Sequence, residues 1–260
     1  MRHLEFKDKG FLIERDFFSQ TEKELLLAAL DELCQRECFP EGIMMYLERD
    51  QTRRCRIECI LRHHPLLAEI LLSPKTFLFL ETLFGEEAAL FKDKINFKYP
   101  GGGAFGAHQD APAFGQFKQT YHISMLVAVD DFAPDNGPLE MASVPSPRRI
   151  EIEPYDANGN MMPESIAKLT WTPVLLKAGE CLFFDSYIPH RSGTNLSQTP
   201  RRALYLTFNP KSQGDVYDSY FTLKRTIFPP YGVTPGILSK EQRALVTTFN
   251  VGNPIASPYD

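Results

Sequence analysis

Basic charge is not in excess in this chain: 28 Lys and Arg stand against 33 Asp and Glu, a net charge of −5. Proteins that coat nucleic acid usually show the opposite balance, so no nucleic-acid partner is expected. No apolar run approaches the roughly 20 residues that span a bilayer, so no membrane partner is expected either. The opening MRHLEFKDKGFLIERDFF carries charges throughout and does not read as a signal peptide. Cys34, Cys38, Cys55, Cys59 and Cys181 are an odd number without a secretion signal, which points to reduced thiols in a cytoplasmic protein. Cys34/Cys38 and Cys55/Cys59 have the i, i+4 spacing of one helix face. Neither pair is a CxxC and no histidine is suitably spaced, so a zinc site is not expected. There is one tryptophan, no internal repeat and no low-complexity segment.

What is present favours strands. Twenty Phe and ten Tyr suit pleated sheet, and twenty Pro with sixteen Gly supply many turns. The first 90 residues nevertheless read mainly as helix. Ser19 with Glu22 makes a capping box, and Leu26, Ala29, Leu30 and Leu33 fall on one face of the helix it opens. Further helices are expected near Pro65–Leu72 and Lys75–Phe84, the second stopped by Gly85. From Asp93 to Tyr99 the pattern alternates, with Lys94, Asn96 and Lys98 on one face and Ile95, Phe97 and Tyr99 on the other. Tyr121–Val129, Leu139–Met141, Val174–Leu176, Cys181–Phe184 and Ala203–Phe208 are further strand candidates. Turns at Asp135–Gly137, Ala157–Gly159 and Lys177–Gly179 separate several of them, as in a sandwich or barrel. No linker divides the chain, so one domain over 1–260 is expected. It comprises a mostly helical flank at 1–88 packed outside a barrel, a core at 89–210 and a loop-rich tail at 211–260.

Six histidines are few enough to weigh one by one. His3 has no nearby partner, and His63 and His64 suit a surface or helix-capping role. His108 stands in His-Gln-Asp after a Gly-rich turn, and residues i and i+2 of an extended segment project to one side. His108 and Asp110 can therefore meet one metal ion. His190 follows an apolar strand 82 residues later, room enough for jelly-roll strands to return to the same mouth. Two imidazoles and a carboxylate form the facial triad of non-haem Fe(II) oxygenases, which leaves three adjacent positions open. An arginine, Arg201, opens a strand eleven residues on.

This combination resembles the Fe(II)- and 2-oxoglutarate-dependent dioxygenases, specifically the phytanoyl-CoA dioxygenase family. HQD at 108–110, DNGPLEMASVPS at 135–146, GECLFFDSYIPHRSG at 179–193 and PRRALYLTF at 200–208 carry it, over about residues 90–210. The resemblance implies a mainly β fold, a double-stranded β-helix or cupin-like jelly roll with packed N-terminal helices. It implies His108, Asp110 and His190 as iron ligands, and Arg201 with Ser192 as partners of the 2-oxoglutarate distal carboxylate. Asn96 is a further candidate contact to that co-substrate. A guanidinium fork suits a carboxylate, and a nearby hydroxyl adds a donor. O2 is the remaining co-substrate, and 2-oxoglutarate would leave as succinate and CO2 while a substrate C–H is hydroxylated. Where family members commonly read Pro-Gly-Ser-His, this chain has Ala142-Ser-Val-Pro-Ser146, which bears on the loop at the substrate mouth.

KINFKYPGGGAFGAHQDAPAF and QTYHISMLVAVDD resemble a bacterial branch, some of whose members hydroxylate small organophosphonates such as 2-aminoethylphosphonate. No basic cluster suits a CoA phosphate tail. Lys94, Gln109, Tyr121 and His122 are the substrate candidates, with Lys98 and Arg202 as further donors and Phe114 and Phe117 as aromatic faces. Lys94, Asn96 and Lys98 read equally as a solvated face, and His122 as an ordinary strand histidine. Tyr121 and His122 point to opposite faces, so both cannot line one pocket without a bulge. A cupin-type metalloenzyme of other chemistry, or a binding protein retaining the fold, are the rival classes; the first gives no reason for Arg201, and intact His108, Asp110, His190 and Arg201 argue against the second. A monomer or homodimer acting on a small molecule is expected.

Overall fold

Local signals start the first long helix as expected. The Ser19 hydroxyl accepts the Glu22 amide at 3.3 Å, and the Glu22 carboxylate accepts the Ser19 amide at 2.7 Å. In this computed structural model, which describes residues 2–144, 151–156, 159–249 and 255–259, the chain begins with α1 (Arg2–Lys9), β1 (Phe11–Glu14) and α2 (Gln20–Gln35). A hairpin of β2 (Met44–Leu47) and β3 (Arg54–Glu58) follows, then α3 (Pro65–Leu71) and α4 (Pro74–Phe84). The His64 ring caps α3 by accepting the Leu67 amide, and Gly85 ends α4 in the left-handed region at φ +82°. Next come β4 (Ala88–Lys98), β5 (Phe105–His108), β6 (Ile123–Ala128), β7 (Leu139–Ser143), the short α5 (Pro163–Ile166) and β8 (Thr170–Pro173). The chain closes with β9 (Cys181–Asp185), β10 (His190–Ser192), β11 (Arg201–Pro210), α6 (Tyr217–Ile227) and α7 (Lys240–Leu245).

Among the described residues these strands form a seven-stranded sheet, ordered β1-β9-β6-β11-β4-β3-β2, and a four-stranded sheet, β5-β10-β7-β8. All their pairings are antiparallel. This is the expected jelly roll with helices on its outside. Strand parity builds it: Ile95, Phe97, Met125, Val127, Leu204 and Leu206 leave the large sheet on one side and pack with Leu26, Leu30, Leu67, Leu71 and Leu80 of α2, α3 and α4. Their neighbours in sequence face the small sheet, where Leu126, Ala128, Phe184 and Ala203 meet Leu139 and Met141. A third cluster joins α6 and the tail to the far end through Tyr46, Phe91, Phe114, Tyr220, Phe221 and Phe249.

Several sequence expectations change. The helical flank also supplies β1, β2 and β3 to the large sheet: β1 pairs with the remote β9, and the β2–β3 hairpin joins the sheet through β3 on β4. The tail carries α6, which packs on β4. No strand occupies Val174–Leu176: the ladder falls on Thr170–Pro173, and Val174 and Leu176 are simply buried against the small sheet's inner face. The cysteine pairs do not share helix faces, since Cys55 lies in β3 and Cys38 beyond the end of α2. The turn at Asp135–Gly137 is present, with Gly137 at φ +66° and the Asn136 side chain bridging Ala133 and Asp131. Ala157 and Asn158 of the expected turn, and Pro145 and Ser146 of the mouth loop, lie outside the described residues. No helix among the described residues is long and apolar enough to cross a membrane.

Candidate active site

The register between β5 and β10 sets His108 directly opposite His190, with ring centroids 4.3 Å apart. Asp110 stands two residues past His108 at the start of a short 3-10 turn, Ala111–Phe114. His108 Nε2 lies 3.9 Å from Asp110 Oδ1, and the donor atoms of all three residues fall within 4.8 Å of one another. His108 Nδ1 contacts the Gly106 carbonyl at 2.7 Å, and His190 Nδ1 contacts the Ile188 carbonyl at 3.0 Å. Each carbonyl fixes its ring with the second nitrogen, Nε2, left for a metal. Burial, helped by His190, brings His108 down to about 4, so it is neutral and ready to ligate. Burial pushes Asp110 upward, but His190, Lys94 and His108 outweigh it and hold the carboxyl at about 2. The donor set fits a divalent transition metal bound on one face.

The cavity in front of these three residues is walled by the inward side of the large sheet. On β4 it presents Lys92, Lys94, Asn96 and Lys98; on β11, Arg201, Tyr205 and Thr207; on β3, Arg56 and Glu58. Tyr220 and Lys224 of α6 and Phe249 of the tail close the far side. At one end Lys98 and Arg201 are cross-strand partners, and Lys98 Nζ donates to Ser192 Oγ at 2.7 Å and to the Gly193 carbonyl. Burial, with Arg201 beside it, lowers Lys98 to about 6. Arg201 is 4% exposed and lies over the Phe132 ring at 4.4 Å. Farther along, Glu58 sits between Arg56 (3.3 Å) and Lys224 (2.5 Å), all three side chains nearly inaccessible. Arg56 Nε also donates to Asn96 Oδ1 at 2.8 Å.

A family model described as phytanoyl-CoA dioxygenase (PhyH) matches residues 6–203. The chain belongs to that family. The match is wider than the 90–210 stretch whose motifs carry the resemblance, because it takes in the helices and the β2–β3 hairpin. As a family member the chain is a dioxygenase. It is 38% identical over 256 residues to a 2-aminoethylphosphonate dioxygenase of the uncultured bacterium HF130_AEPn_1, covering 96% of each chain. It is 37% identical over 229 residues to a methylphosphonate hydroxylase of Gimesia maris, covering 87% of this chain and 86% of the other. In fold it is similar to EctD from S. alaskensis, crystallised with 2-oxoglutarate and 5-hydroxyectoine, with a TM-score of 0.69 at 21% identity. That match covers 81% of this chain and 76% of EctD.

Not every residue singled out in the sequence reaches the cavity of this dioxygenase. Lys94, Asn96, Lys98, Ser192 and Arg201 do, so the lysine face is not a solvated one. Gln109 borders the cavity, but its amide is already committed. Nε2 donates to the Glu151 and Tyr187 carbonyls at 2.8 and 2.6 Å, and Oε1 accepts the Glu153 amide at 2.8 Å. Tyr121 points away, stacked on Tyr187 and edge-on to Phe84, as the strand alternation requires once His122 turns inward. His122 is buried behind the cavity wall against Phe91 and Phe114, and burial lowers it to about 3. Phe117 packs on Phe91 and Tyr220, also behind the wall, while Phe114 lines it. Arg202 lies outside, held by Asp130 at 2.6 Å and Asp31 at 2.6 Å.

Lys92, Arg56, Glu58, Thr207, Tyr220, Lys224 and Phe249 are among the cavity residues that sequence reasoning missed. The period-two pattern extended back to Lys92 would have found one of them. Asp93 interrupted that pattern: it is buried on the face away from the cavity, where it accepts Tyr217 Oη at 2.5 Å and the Ile60 amide at 2.6 Å.

His108→Ala and Asp110→Ala should each lose stoichiometric Fe(II) binding in a chelator-competition titration while keeping the wild-type circular dichroism spectrum. Both ligands sit at the rim of the small sheet and add little to its core, so unfolding of both variants would contradict this placement.

Proposed function

We propose that the chain is an Fe(II)- and 2-oxoglutarate-dependent dioxygenase that hydroxylates a C–H bond of a small organophosphonate. One observation carries the reading. In a chain of net charge −5, the described residues of this cavity include six basic side chains, Arg56, Lys92, Lys94, Lys98, Arg201 and Lys224, against two carboxylates, Glu58 and Asp110. Burying unpaired ammonium groups costs several kcal/mol each, so a cavity built this way is built for anions.

The cations fall into two groups. Lys98 and Arg201 with the Ser192 hydroxyl form one end, suited to the distal carboxylate of 2-oxoglutarate. Lys94 and Lys92 lie four and six residues back along β4, roughly 13 and 20 Å away at the rise of a strand. His108, Asp110 and His190 stand on the opposite sheet between these ends, and Asp110 feels the charge of both Lys94 and Lys92. Asn96, its carbonyl held by Arg56, keeps its amide hydrogens for a ligand between the two groups. Bound iron supplies the oxidising chemistry, with 2-oxoglutarate consumed to succinate and CO2. The protein's own side chains anchor two anions on either side of the metal and enclose them away from water.

The relatives are named for phosphonate substrates, and a phosphonate is the anion that Lys92 and Lys94 suit. Methylphosphonate offers a single carbon, bonded to phosphorus. A phosphonate anchored by Lys92 and Lys94 would therefore present that adjacent carbon to the metal. A fatty acyl-CoA, by contrast, needs a long apolar channel, and this density of charged side chains would obstruct one.

Three outcomes test the reading. Succinate release from 2-oxoglutarate, with Fe(II) and ascorbate, should be stimulated by small phosphonates and not by acyl-CoA thioesters. Robust turnover of an acyl-CoA alone would overturn the substrate assignment. Arg201→Ala should raise KM for 2-oxoglutarate at least about thirtyfold, corresponding to the roughly 2–5 kcal/mol lost with one partner of a buried charge pair. Arg202→Ala should leave that KM within about twofold, because its partners Asp130 and Asp31 are outside the cavity.

The third outcome concerns protons. Lys98, lowered to about 6, is neutral near pH 7 in the empty site, and a carboxylate beside it restores the charged form. Binding of 2-oxoglutarate to the anaerobic Fe(II) protein should thus take up about one proton at pH 7.5, and affinity should weaken as pH rises above about 6. Calorimetry in two buffers of different ionisation enthalpy reads the uptake, which Lys98→Met should abolish.

A further inference from the structure

The two phosphonate-named relatives stand at nearly equal identity, yet one substrate ends in an ammonium and the other in a methyl group. Identity does not choose between them, but the cavity has features that do. A substrate ammonium can be received by a carboxylate or by the face of an aromatic ring. Asp110 belongs to the metal site. Glu58 is already held on one oxygen by Arg56 and on the other by Lys224.

The rings are taken too. Lys92 Nζ lies 4.3 Å from the Phe114 centroid and 5.6 Å from that of Tyr220. Both of these rings also pack on Phe91, at 5.1 and 5.0 Å. Lys94 Nζ lies 5.2 Å over Tyr205, and Lys224 Nζ 5.7 Å over Phe249. Lys98 Nζ covers Phe105 at 5.2 Å, and Phe184 lies against the His190 ring. Among the described residues, Glu58 and the rings of Phe114, Tyr220, Tyr205, Phe249 and Phe105 each already have a cationic side chain from the protein, and Phe184 is covered by His190. The anion side is the reverse: Lys92 and Lys94 make no ion pair with a carboxylate among the described residues; rings lie under their Nζ atoms, and Asp110 and Glu58 act on them only from a distance.

We propose that the cavity selects organophosphonates whose remaining substituent carries no positive charge, such as methyl- and short alkylphosphonates, and disfavours aminoalkylphosphonates. The inference rests on the phosphonate reading above and narrows it. Lys92 covers Phe114 and Tyr220 while Lys224 neutralises Glu58, so an ammonium pushed toward α6 meets like charge and no free acceptor. An alkyl group of the same size meets the hydrocarbon stems of the lysines and the edges of the same rings.

Propylphosphonate and 2-aminoethylphosphonate are nearly isosteric, a terminal methyl replacing the ammonium, and give the cleanest comparison. With the Fe(II) protein and 2-oxoglutarate, succinate release should show kcat/KM at least tenfold higher for propylphosphonate, with methylphosphonate also a substrate. Lys224→Met leaves Glu58 with Arg56 alone and should shift the propyl-to-aminoethyl ratio at least tenfold toward the aminoethyl compound. Lys224→Arg should keep the wild-type ratio. If Lys224→Met does not fold, the wild-type ratio decides by itself. A wild-type preference for 2-aminoethylphosphonate overturns this inference and leaves the phosphonate reading standing. Failure of all three phosphonates to stimulate succinate release overturns both.

Discussion

An ammonium group taken out of water must find an anion, lose its proton or lie against a polarisable surface, and the interior of this jelly roll answers with all three. Glu58 serves Arg56 and Lys224. Burial lowers Lys92 and Lys224 to about 8 and Lys98 to about 6, so some of the charge is given up before any ligand arrives. Aromatic rings lie under the remaining ammonium groups. The arrangement is still incomplete without ligands, because the described cavity holds more cations than carboxylates. Anions bound there would complete it, so folding stability and ligand binding would be linked through the same few side chains.

Only a rigid frame can hold such a set together, and strand parity provides it. Along β4 each residue turned toward the cavity alternates with one turned toward the helices, so Lys94, Asn96 and Lys98 are interleaved with Ile95 and Phe97. A slip of one residue against β11 would send the lysines into the helix-covered core and the apolar side chains into the site. The packing of α2, α3 and α4 on Ile95, Phe97, Leu204 and Leu206 makes that slip prohibitive. The same parity separates Arg201 from Arg202. One enters the cavity beside Lys98, and the other closes a network with Asp130 and Asp31 on the outside. On the small sheet, cross-strand pairing does the equivalent work for the metal ligands by setting His108 opposite His190.

Those features that depend on local pattern were legible in the sequence. The capping box of α2, the alternation after Asp93, the His-x-Asp turn and the arginine eleven residues past His190 each have a short-range signature, and each occupies the expected place. What escaped depends on partners remote in sequence. β1, β2 and β3 are strands of four or five residues with too little periodicity to announce themselves; β9 and β4 offer edges to β1 and β3, and β2 joins as the hairpin partner of β3. Nothing near Lys224 indicates that it will meet Glu58, 166 positions earlier, at 2.5 Å. Gln109 shows the opposite failure. Its position beside His108 and Asp110 suggested substrate contact, but three hydrogen bonds to backbone groups of the 151–153 segment and Tyr187 occupy both amide hydrogens and the carbonyl oxygen.

The sign of the charge also divides the molecule. The chain is acidic as a whole and its cavity basic, so what lies outside the cavity is more acidic still. An anion approaching from a distance gains nothing from that exterior. At physiological ionic strength, however, charges are screened beyond about 8 Å, and most of the exterior is silent at encounter. Inside the cavity protein atoms replace the screening electrolyte, and each cation acts at nearly full strength on a bound anion. The cation cluster therefore governs how tightly and in what pose an anion is held, more than how fast it arrives. Pose is what hydroxylation requires: one carbon has to be fixed in front of His108, Asp110 and His190 while the rest of the substrate is kept away from the oxidant.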